Sequence, residues 1–590
     1  MRSGRFTVPA LGLLLLCALL LREGPRPADG APRRPGIELF VESEAAWNLR
    51  RVQLTLASGR VPQFDRAARF PSGGEVVDPP VFVAGLAGTA YLLLDGATGS
   101  ANGSPLNEGG LADLMRHVGP LLGVLLVLVA HRAAARIGGS SARARALTTA
   151  AQLALGAPFV LALEAGRLPL GAWSALLSAF GLTLAAPLLG RDGEMLDRLQ
   201  TALLAGLVLG LALASSPLAV AAVLPLVVLL GVELYSVNSV ELRRARAREA
   251  LLMMVSMACI AALPAVGGPW QQPSPTGPVG HFARIAPLAI LAVGLPMSLA
   301  FWPPISRRLE ARGLTRSAAT IAALLAVGAV LALLPDLPAP RVPHWPPAWV
   351  VLQVIAYICC LRSPRHAELR VWCLVLPVAW GVAFFDERGA LLAGFAGAVL
   401  TAAAIWSTGR RSRRWLLAAL ATVLVADLAA SWMGREAAEV HRAQDAQVAH
   451  VLQELRTSTP SAGPWNATRA VMAWCVAAPT ALAPAVLLHA RRPVLVSRGT
   501  VGADAIEPRD AVLWRAADAR ELSSAARELG VRVLCLRSTD LRELEERCGG
   551  ELPFVSRLLQ AEPLGLDRER YGPVDESGRA AFVVVRFESD

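Results

Sequence analysis

Apolar runs of about 20 residues recur along most of this chain, and no other feature limits its fold as strongly. A helix of that length crosses the hydrocarbon core of a bilayer, which is about 30 Å thick. Hydrophobic residues make up 54% of the 590 residues and charged residues only 17%, a balance that excludes a soluble globular protein. The sequence therefore predicts a polytopic α-helical membrane protein. We place about 13 spans, the first within residues 1–21 and the others near 113–130, 147–163, 171–189, 200–217, 219–236, 250–267, 284–302, 317–335, 347–361, 371–385, 390–407 and 415–433.

The first apolar run has two further interpretations. It follows a short basic start and also fits a signal peptide, or a lipobox ending at Cys17. We favour a retained span, because no clear small-residue cleavage site follows the run.

Arginine clusters occupy alternate loops between the predicted spans. They lie within residues 132–145, 243–248, 307–316, 362–370 and 410–414, after the second, sixth, eighth, tenth and twelfth spans. Basic loops stay on the cytoplasmic side of a membrane. The clusters therefore predict a multi-pass protein of the cytoplasmic (inner) membrane, with its N-terminus in the cytoplasm and its C-terminus outside.

The basic net charge does not indicate a nucleic-acid partner. The charge is +11, every cation is Arg, and the arginines lie mostly in short loops, where they set orientation. The eight cysteines show no metal-ligand spacing, and at most one disulfide could form among Cys475, Cys535 and Cys548.

Residues 434–590 form a second domain by composition, whereas residues 1–433 hold the spans. Acidic residues and arginines increase, and apolar runs shorten to the lengths of helices and strands. Residues Ala516–Gly530 predict an amphipathic helix, and Val531–Leu536 and Ala581–Phe587 predict strands. Alternating helices and strands predict a small extracytoplasmic α/β domain.

The long polar stretch between the first two spans, residues 22–112, is the first candidate functional region. Its segment Glu42–Phe82 opens with the acids Glu42 and Glu44. An amphipathic pattern follows, which on a helix would lie along the membrane surface. Arg50, Arg51 and Arg60 would then meet anionic lipid headgroups or phosphates. The apolar residues of this pattern are Trp47, Leu49, Val52, Leu54 and Leu56.

The same loop resembles the first external loop of oligosaccharyltransferase catalytic subunits. The similarity rests on the order Glu44-Ala-Ala-Trp-Asn-Leu-Arg-Arg51, then Phe64-Asp65, then Phe70-Pro71-x-Gly73, then Pro79-Pro80. The family pattern is D-A-Y-Y-H-L-R-R, F-D, Y/F-P-x-G and a proline-bounded segment, so Trp47 and Asn48 stand at its Tyr and His positions. The resemblance implies a GT-C-like fold of 13 spans. It also implies transfer of a glycan from a polyprenyl phosphate- or diphosphate-linked donor to a protein acceptor.

The resemblance further implies a divalent metal, Mg or Mn, held by carboxylates at the external face. Glu44 matches the first-loop acid, so we take it as the catalytic and metal-binding candidate, with Glu164 and Asp336 as further metal candidates. Trp47, Asn48, Arg50 and Arg51 are the substrate-binding candidates. The family's G-R-x-D-H-H pattern in the second external loop falls on Gly166-Arg167-Leu168-Pro169-Leu170-Gly171, so its acid pair is absent. Two further acidic pairs, Asp192 with Glu194 and Asp386 with Glu387, are interpreted as solvated turns.

The acceptor-binding W-W-D-Y-G-like motif of the family has no clear counterpart either. Neither Thr480–Ala483 nor Ala473–Ala477 carries its Asp. Three hypotheses follow: a divergent membrane glycosyltransferase, a non-catalytic relative that binds lipid-linked glycan or partners an active paralogue, and a transporter of lipid-linked material. The third has least support, because no inverted repeat is evident and no charged residue stands in the middle of a predicted span. Asp427, near the end of the last span, is the closest case.

Overall fold

The computed structural model describes the backbone of residues 7–23, 41, 43–58, 64–65, 67, 75–76, 91, 108–137, 139–163, 170–189, 195–236, 239–266, 308, 311, 345–361, 367–384, 389–458, 474–495, 508–575 and 577–587. Structural statements below concern these residues.

Helices dominate the first 458 residues. Four of the described helical segments are long and apolar enough to cross a membrane, namely Leu114–Arg136, Ala172–Leu189, Met195–Ser215 and Ala390–Ser407. They support a multi-pass helical membrane protein, whereas the count of 13 spans stays a prediction. The helices are α1 (Thr7–Glu23), α2 (Ser43–Ser58), α3 (Glu108–Arg116), α4 (Val118–Arg136), α5 (Ala142–Leu155), α6 (Ala157–Ala162), α7 (Leu170–Ala185), α8 (Met195–Ser215), α9 (Val220–Ser236), α10 (Val240–Val266), α11 (Pro347–Leu361), α12 (Ala367–Ala383), α13 (Ala390–Ser407) and α14 (Arg410–Ser458).

The membrane helices pack around α13, whose residues 390–405 are all buried. Helix α1 packs against α4 and α5, and α8 packs against α7 and α10. The α8–α10 contact depends on a residue without a side chain, because a Cβ at Gly206 would clash with Ser256 Oγ and with the backbone of Met253. Small residues permit such close approach of membrane helices, where the lipid tails supply no hydrophobic driving force.

The predicted third span, residues 147–163, is two helices rather than one. Helix α5 ends at Leu155, Gly156 is extended with φ −68° and ψ 126°, and α6 begins at Ala157. Pro158 lies in the first turn of α6 and has no N–H to donate to Ala154, four residues earlier. Its ring also disfavours a helical conformation for Ala157. The helix therefore breaks at this point.

Helix α14 runs for 49 residues without interruption. It contains the predicted last span, 415–433, and crosses the predicted boundary between residues 433 and 434. At 1.5 Å per residue it is about 74 Å long, more than twice the thickness of the hydrocarbon core. It therefore connects the membrane helices to the C-terminal domain.

The C-terminal domain contains a four-stranded sheet in the order β3-β4-β6-β5. Strands β3 and β4 are parallel, and the other two pairs are antiparallel. The predicted strands at Val531–Leu536 and Ala581–Phe587 correspond to β4 and β6, and the predicted helix at Ala516–Gly530 to the helix Ala519–Glu528. The strands are β3 (Cys475–Ala477), β4 (Val531–Arg537), β5 (Asp567–Val574) and β6 (Ala580–Arg586). The described α-helices of four or more residues in this domain are α15 (Pro508–Trp514), α16 (Ala519–Glu528), α17 (Leu541–Cys548) and α18 (Pro553–Arg557), and a five-residue π-helix spans Val486–Ala490.

Two smaller features complete the description. The first loop contributes a short antiparallel pair, β1 (Phe64–Asp65) and β2 (Glu75–Val76). All eight cysteines are thiols, so no disulfide joins any two of Cys475, Cys535 and Cys548.

Replacing Gly206 by Leu tests the close contact between α8 and α10. We expect Gly206→Leu to lower stability by about 1–3 kcal/mol, because the helices must separate to admit the side chain. Leu204→Ala is the control, since Leu204 on the same helix is 52% exposed. Thermal unfolding of the purified protein in detergent measures both variants. An equal midpoint for Gly206→Leu and the wild type would contradict the packing described here.

Candidate functional site

The predicted site residues fall into two groups, those whose side chains the structure describes and those whose side chains it does not. Glu44 lies in the first turn of α2, and its side chain is outside the described part of the structure. Glu164 and Asp336 lie outside the described residues, so their roles, and that of Glu44, stay predictions. Glu42, Asp192, Glu194, Asp386 and Glu387 also lie outside them.

Residues 45–53 of helix α2 are buried inside the protein rather than exposed on one face, as the prediction of a surface-lying amphipathic helix requires. Trp47, Leu49 and Val52 share one apolar cluster with residues of α14 and of the C-terminal sheet. The amphipathic pattern is real, but its apolar face is covered by protein rather than by lipid. The amphipathic pattern predicts that Arg50 and Arg51 are exposed to lipid headgroups. In the structure both side chains are buried, with 5% of their surface exposed. Arg60 lies outside the described residues.

The four substrate-binding candidates are all buried on α2. Trp47 is 8% exposed and Asn48 is 6% exposed. The Arg51 guanidinium carbon lies 5.4 Å from the centre of the Trp47 ring, a cation–π arrangement along one helix face. These contacts anchor α2 in its cluster, and a role in substrate binding stays a prediction.

A second stretch of positive charge faces α2 from the C-terminal domain. Arg491 has a left-handed backbone with φ 50°, and burial together with the nearby charge of Arg50 lowers its pKa to about 10. Arg492 is 2% exposed and donates to the carbonyl of Arg456 at 3.1 Å. The backbone N–H of Val494 donates to the carbonyl of Ala67 in the first loop at 2.9 Å. The first loop and the C-terminal domain therefore form one junction rich in arginine.

Helix α2 also shares its apolar cluster with α3, the helix that leads into the first long apolar span Leu114–Arg136. Leu111, Ala112 and Met115 of α3 belong to the same apolar cluster as Trp47. Two residues beyond Met115, the Nδ1 atom of His117 lies 3.7 Å from a carboxylate oxygen of Glu23, at the end of α1. The helix that carries Glu44 is thus seated at the end of the bundle that the arginine pattern predicts to be external.

Four aromatic residues cluster at the same end of the bundle. The ring centres of Phe159 and Trp345 are 5.5 Å apart, those of Phe159 and Trp349 are 5.9 Å apart, and those of Trp345 and Trp380 are 5.6 Å apart. All three pairs are edge-to-face, which is a favoured geometry for aromatic rings. The Trp380 Nε1–H donates to the Oε1 atom of Gln353 at 3.0 Å. We refer to these four rings as the aromatic cluster.

Two charged side chains meet the break in the third span beside the aromatic cluster. Arg22 Nη2 donates to the carbonyl of Leu153 at 2.7 Å, and the backbone N–H of Ala157 donates to Asp427 Oδ2 at 3.0 Å. Asp427 Oδ2 also accepts from Trp349 Nε1 at 2.8 Å. Sequence reasoning considered Asp427 only as a transport charge and Arg22 not at all. The sequence Gly156-Ala157-Pro158 is the signal that indicates a helix break, and a break inside a membrane span needs polar partners of this kind.

Among the described side chains, no group of three or more His, Cys, Asp or Glu residues has an arrangement that could hold a metal ion. The metal candidates Glu44, Glu164 and Asp336 are not among those side chains. The described side chains therefore do not test the predicted metal site, which stays a prediction.

The hydrogen bond between Trp380 and Gln353 can be tested by deletion. Gln353 is 1% exposed, so Trp380→Phe should leave its buried Oε1 atom without a donor and cost about 1–3 kcal/mol. Trp415→Phe is the matched control, because Trp415 is 72% exposed. Thermal unfolding in detergent distinguishes the two variants, and equal losses would contradict a specific role for the Trp380 bond.

No known protein family's sequence profile matches the chain, and no curated protein matches it. Solved structures do match. The oligosaccharyltransferase of Archaeoglobus fulgidus with Zn and sulfate has a TM-score of 0.66 and 14% identity, over 97% of this chain and 72% of that chain. With a tethered acceptor peptide containing the NVT sequon, it has a TM-score of 0.69 and 13% identity, over 98% and 74%.

The same archaeal protein in complex with an inhibitory peptide and a dolichol-phosphate has a TM-score of 0.63 and 13% identity, over 99% of this chain and 74% of that chain. The agreement extends through the membrane helices and the C-terminal domain. It confirms the fold that the first loop implies: this chain has the fold of an oligosaccharyltransferase catalytic subunit.

Proposed function

We propose that the protein is a membrane glycosyltransferase. It transfers a sugar or glycan from a polyprenyl phosphate- or diphosphate-linked donor to a protein or other acceptor at the external face. The observation that carries this proposal is the position of α2. The helix that bears Glu44 is seated between the end of the membrane bundle and the C-terminal domain, in a chain whose whole length follows the oligosaccharyltransferase fold.

The relatives indicate the class of donor and acceptor. Structures of the archaeal protein contain a dolichol-phosphate and an acceptor peptide. A polyprenyl carrier enters from the lipid, so a site at the end of the membrane helices suits such a donor. The missing Asp in the motif of the C-terminal domain speaks against strict recognition of asparagine sequons, and the acceptor class is therefore left broader.

The proposed metal fits the chemistry of the candidate ligands. Glu44, Glu164 and Asp336 would supply carboxylate oxygens, which Mg and Mn prefer. When bound, the ion would offset negative charge on the departing phosphate or diphosphate. One relative was solved with Zn and sulfate, which is consistent with a divalent cation and an anionic partner in this fold. Glu44 itself would orient the acceptor and the ion from the first turn of α2.

A non-catalytic role is the second candidate, because the second external loop lacks the family's acid pair. Such a protein would bind lipid-linked glycan, or partner an active paralogue, without turnover. Binding without release of the carrier would support this alternative over the transferase.

Replacing Glu44 by Gln tests the catalytic role. With a polyprenyl diphosphate-linked glycan as donor, we expect Glu44→Gln to slow release of the carrier by roughly 100-fold or more, because the carboxylate charge is lost while its shape is kept. Glu546→Gln is the control, since that side chain is 67% exposed on α17. Full activity in Glu44→Gln would remove Glu44 from the site.

Removing divalent ions tests the metal. A chelator should abolish carrier release by the wild-type protein, and adding Mg or Mn should restore it, since the departing phosphate would otherwise bear uncompensated charge. Carrier release is measured by thin-layer or liquid chromatography of the lipid product. Undiminished release in the chelator would show that the reaction needs no metal.

A further inference from the structure

The break in the third span leaves several backbone groups without their helical partners, among them the carbonyls of Leu153 and Ala154 and the N–H of Ala157. The carbonyl of Leu153 would normally accept from Ala157, and that of Ala154 from residue 158, which is a proline. The N–H of Ala157 instead donates to Asp427. At membrane depth water does not satisfy such groups, so the protein must supply partners.

Arg22 supplies the missing donors. Its Nη2 atom donates to Leu153 O at 2.7 Å, and its Nη1 atom donates to Ala154 O at 3.4 Å. Nη2 also donates to Phe159 O at 3.3 Å, on the α6 side of the break. The side chain of Arg22 is 1% exposed, so it is buried at the break.

Asp427 supplies the missing acceptor. Its Oδ2 atom takes the N–H of Ala157 at 3.0 Å and the indole N–H of Trp349 at 2.8 Å. The Trp349 ring is 1% exposed and meets Phe159 of α6 edge-to-face. Asp427 therefore holds α6 twice, through its first backbone N–H and through the ring packed against it.

The two charges come from the first and the last described membrane helices, α1 and α14. Charged side chains inside a membrane are costly and are retained where they have a function. Arg22 is the neighbour of Glu23, which lies beside His117 where α2 meets the bundle. The polar contacts at the break thus lie at the same end of the bundle as the cluster that holds the helix carrying Glu44.

We propose that Asp427 is a positioning residue for the site of the proposed glycosyltransferase: it fixes α6 and the aromatic cluster at the end of the bundle where α2 is seated. The inference rests on the proposed function for its catalytic consequence. Its structural part, that Asp427 holds α6, does not need the protein to be an enzyme. Arg22 has the same role on the carbonyl side of the break.

Asp427→Leu and Asp427→Asn separate the hydrogen bonds from the charge. Leucine removes the acceptor, whereas the Asn Oδ1 atom can still accept from Ala157 and Trp349. Thr422→Val is the control, because Thr422 is exposed on the same helix and its hydroxyl bonds only its own helix, at Ala418 O. Hydrogen exchange of full-length protein in nanodiscs, followed by mass spectrometry of peptides spanning 157–163, reports on α6 directly.

We expect exchange over 157–163 to rise by about tenfold or more in Asp427→Leu, and to stay near the wild-type rate in Asp427→Asn and Thr422→Val. Unchanged exchange in a folded Asp427→Leu protein would overturn the proposal. If Asp427→Leu does not fold, Asp427→Glu displaces the carboxylate by one methylene group and should also raise exchange. No change in that variant would equally overturn it.

Carrier release then tests the catalytic consequence. We expect Asp427→Leu to lower kcat by about tenfold or more and leave donor binding within about twofold, with Asp427→Asn restoring most of the rate. A wild-type rate in Asp427→Leu would overturn the positioning role while leaving the transferase standing. No release by the wild-type protein would instead refute the transferase, and the exchange experiment would still decide whether Asp427 holds α6.

Discussion

A backbone polar group inside a bilayer must find a partner within the protein, and this requirement organises the end of the bundle where α2 is seated. The third span contains Pro158 after an extended Gly156, so its hydrogen-bond ladder cannot be continuous. Arg22 and Asp427 complete it from two other helices. The first, third and last described membrane helices are joined at a single point as a result, and the aromatic cluster packs beside that point.

The junction between the first loop and the C-terminal domain is held together by a different kind of interaction. Here apolar burial holds the parts together, because Trp47, Leu49 and Val52 share a cluster with α14 and the sheet. Arginines from both sides lie in the same region, where burial, together with the nearby charge of Arg50, lowers the pKa of Arg491. Bringing like charges together costs free energy, so the apolar contacts must offset that cost. The first loop is in this sense part of the C-terminal domain's core.

The sequence predicted the positions of helices and strands better than it predicted what those elements pack against. Strands β4 and β6 were found because their apolar runs have strand length, and α16 because its pattern is amphipathic. In the structure, Asp518 caps the first turn of α16. The pattern of α2 predicted an amphipathic surface, but periodicity cannot distinguish lipid from a protein partner. That is why Arg50 and Arg51 were expected at a headgroup surface and are buried instead.

The candidate site was predicted less completely, for a physical reason. Glu44 came from a resemblance in order and spacing; it lies in the first turn of α2, and its role stays a prediction. Arg22 and Asp427 carry no motif, because any donor and acceptor that reach the break would serve. Only the three-dimensional path of α1 and α14 brings them to Leu153 and Ala157.

The unbroken course of α14 has a mechanical consequence. Asp427 and Asp445 lie on the same helix, and Asp445 is 4.0 Å from Arg537 of the C-terminal sheet. A stiff rod that carries both contacts transmits force between them. A tilt of the C-terminal domain would therefore either bend α14 or turn it as one body, and turning would pull on the amide of Ala157. The two contacts lie about 27 Å apart along the helix, so the sheet and the broken span are mechanically linked.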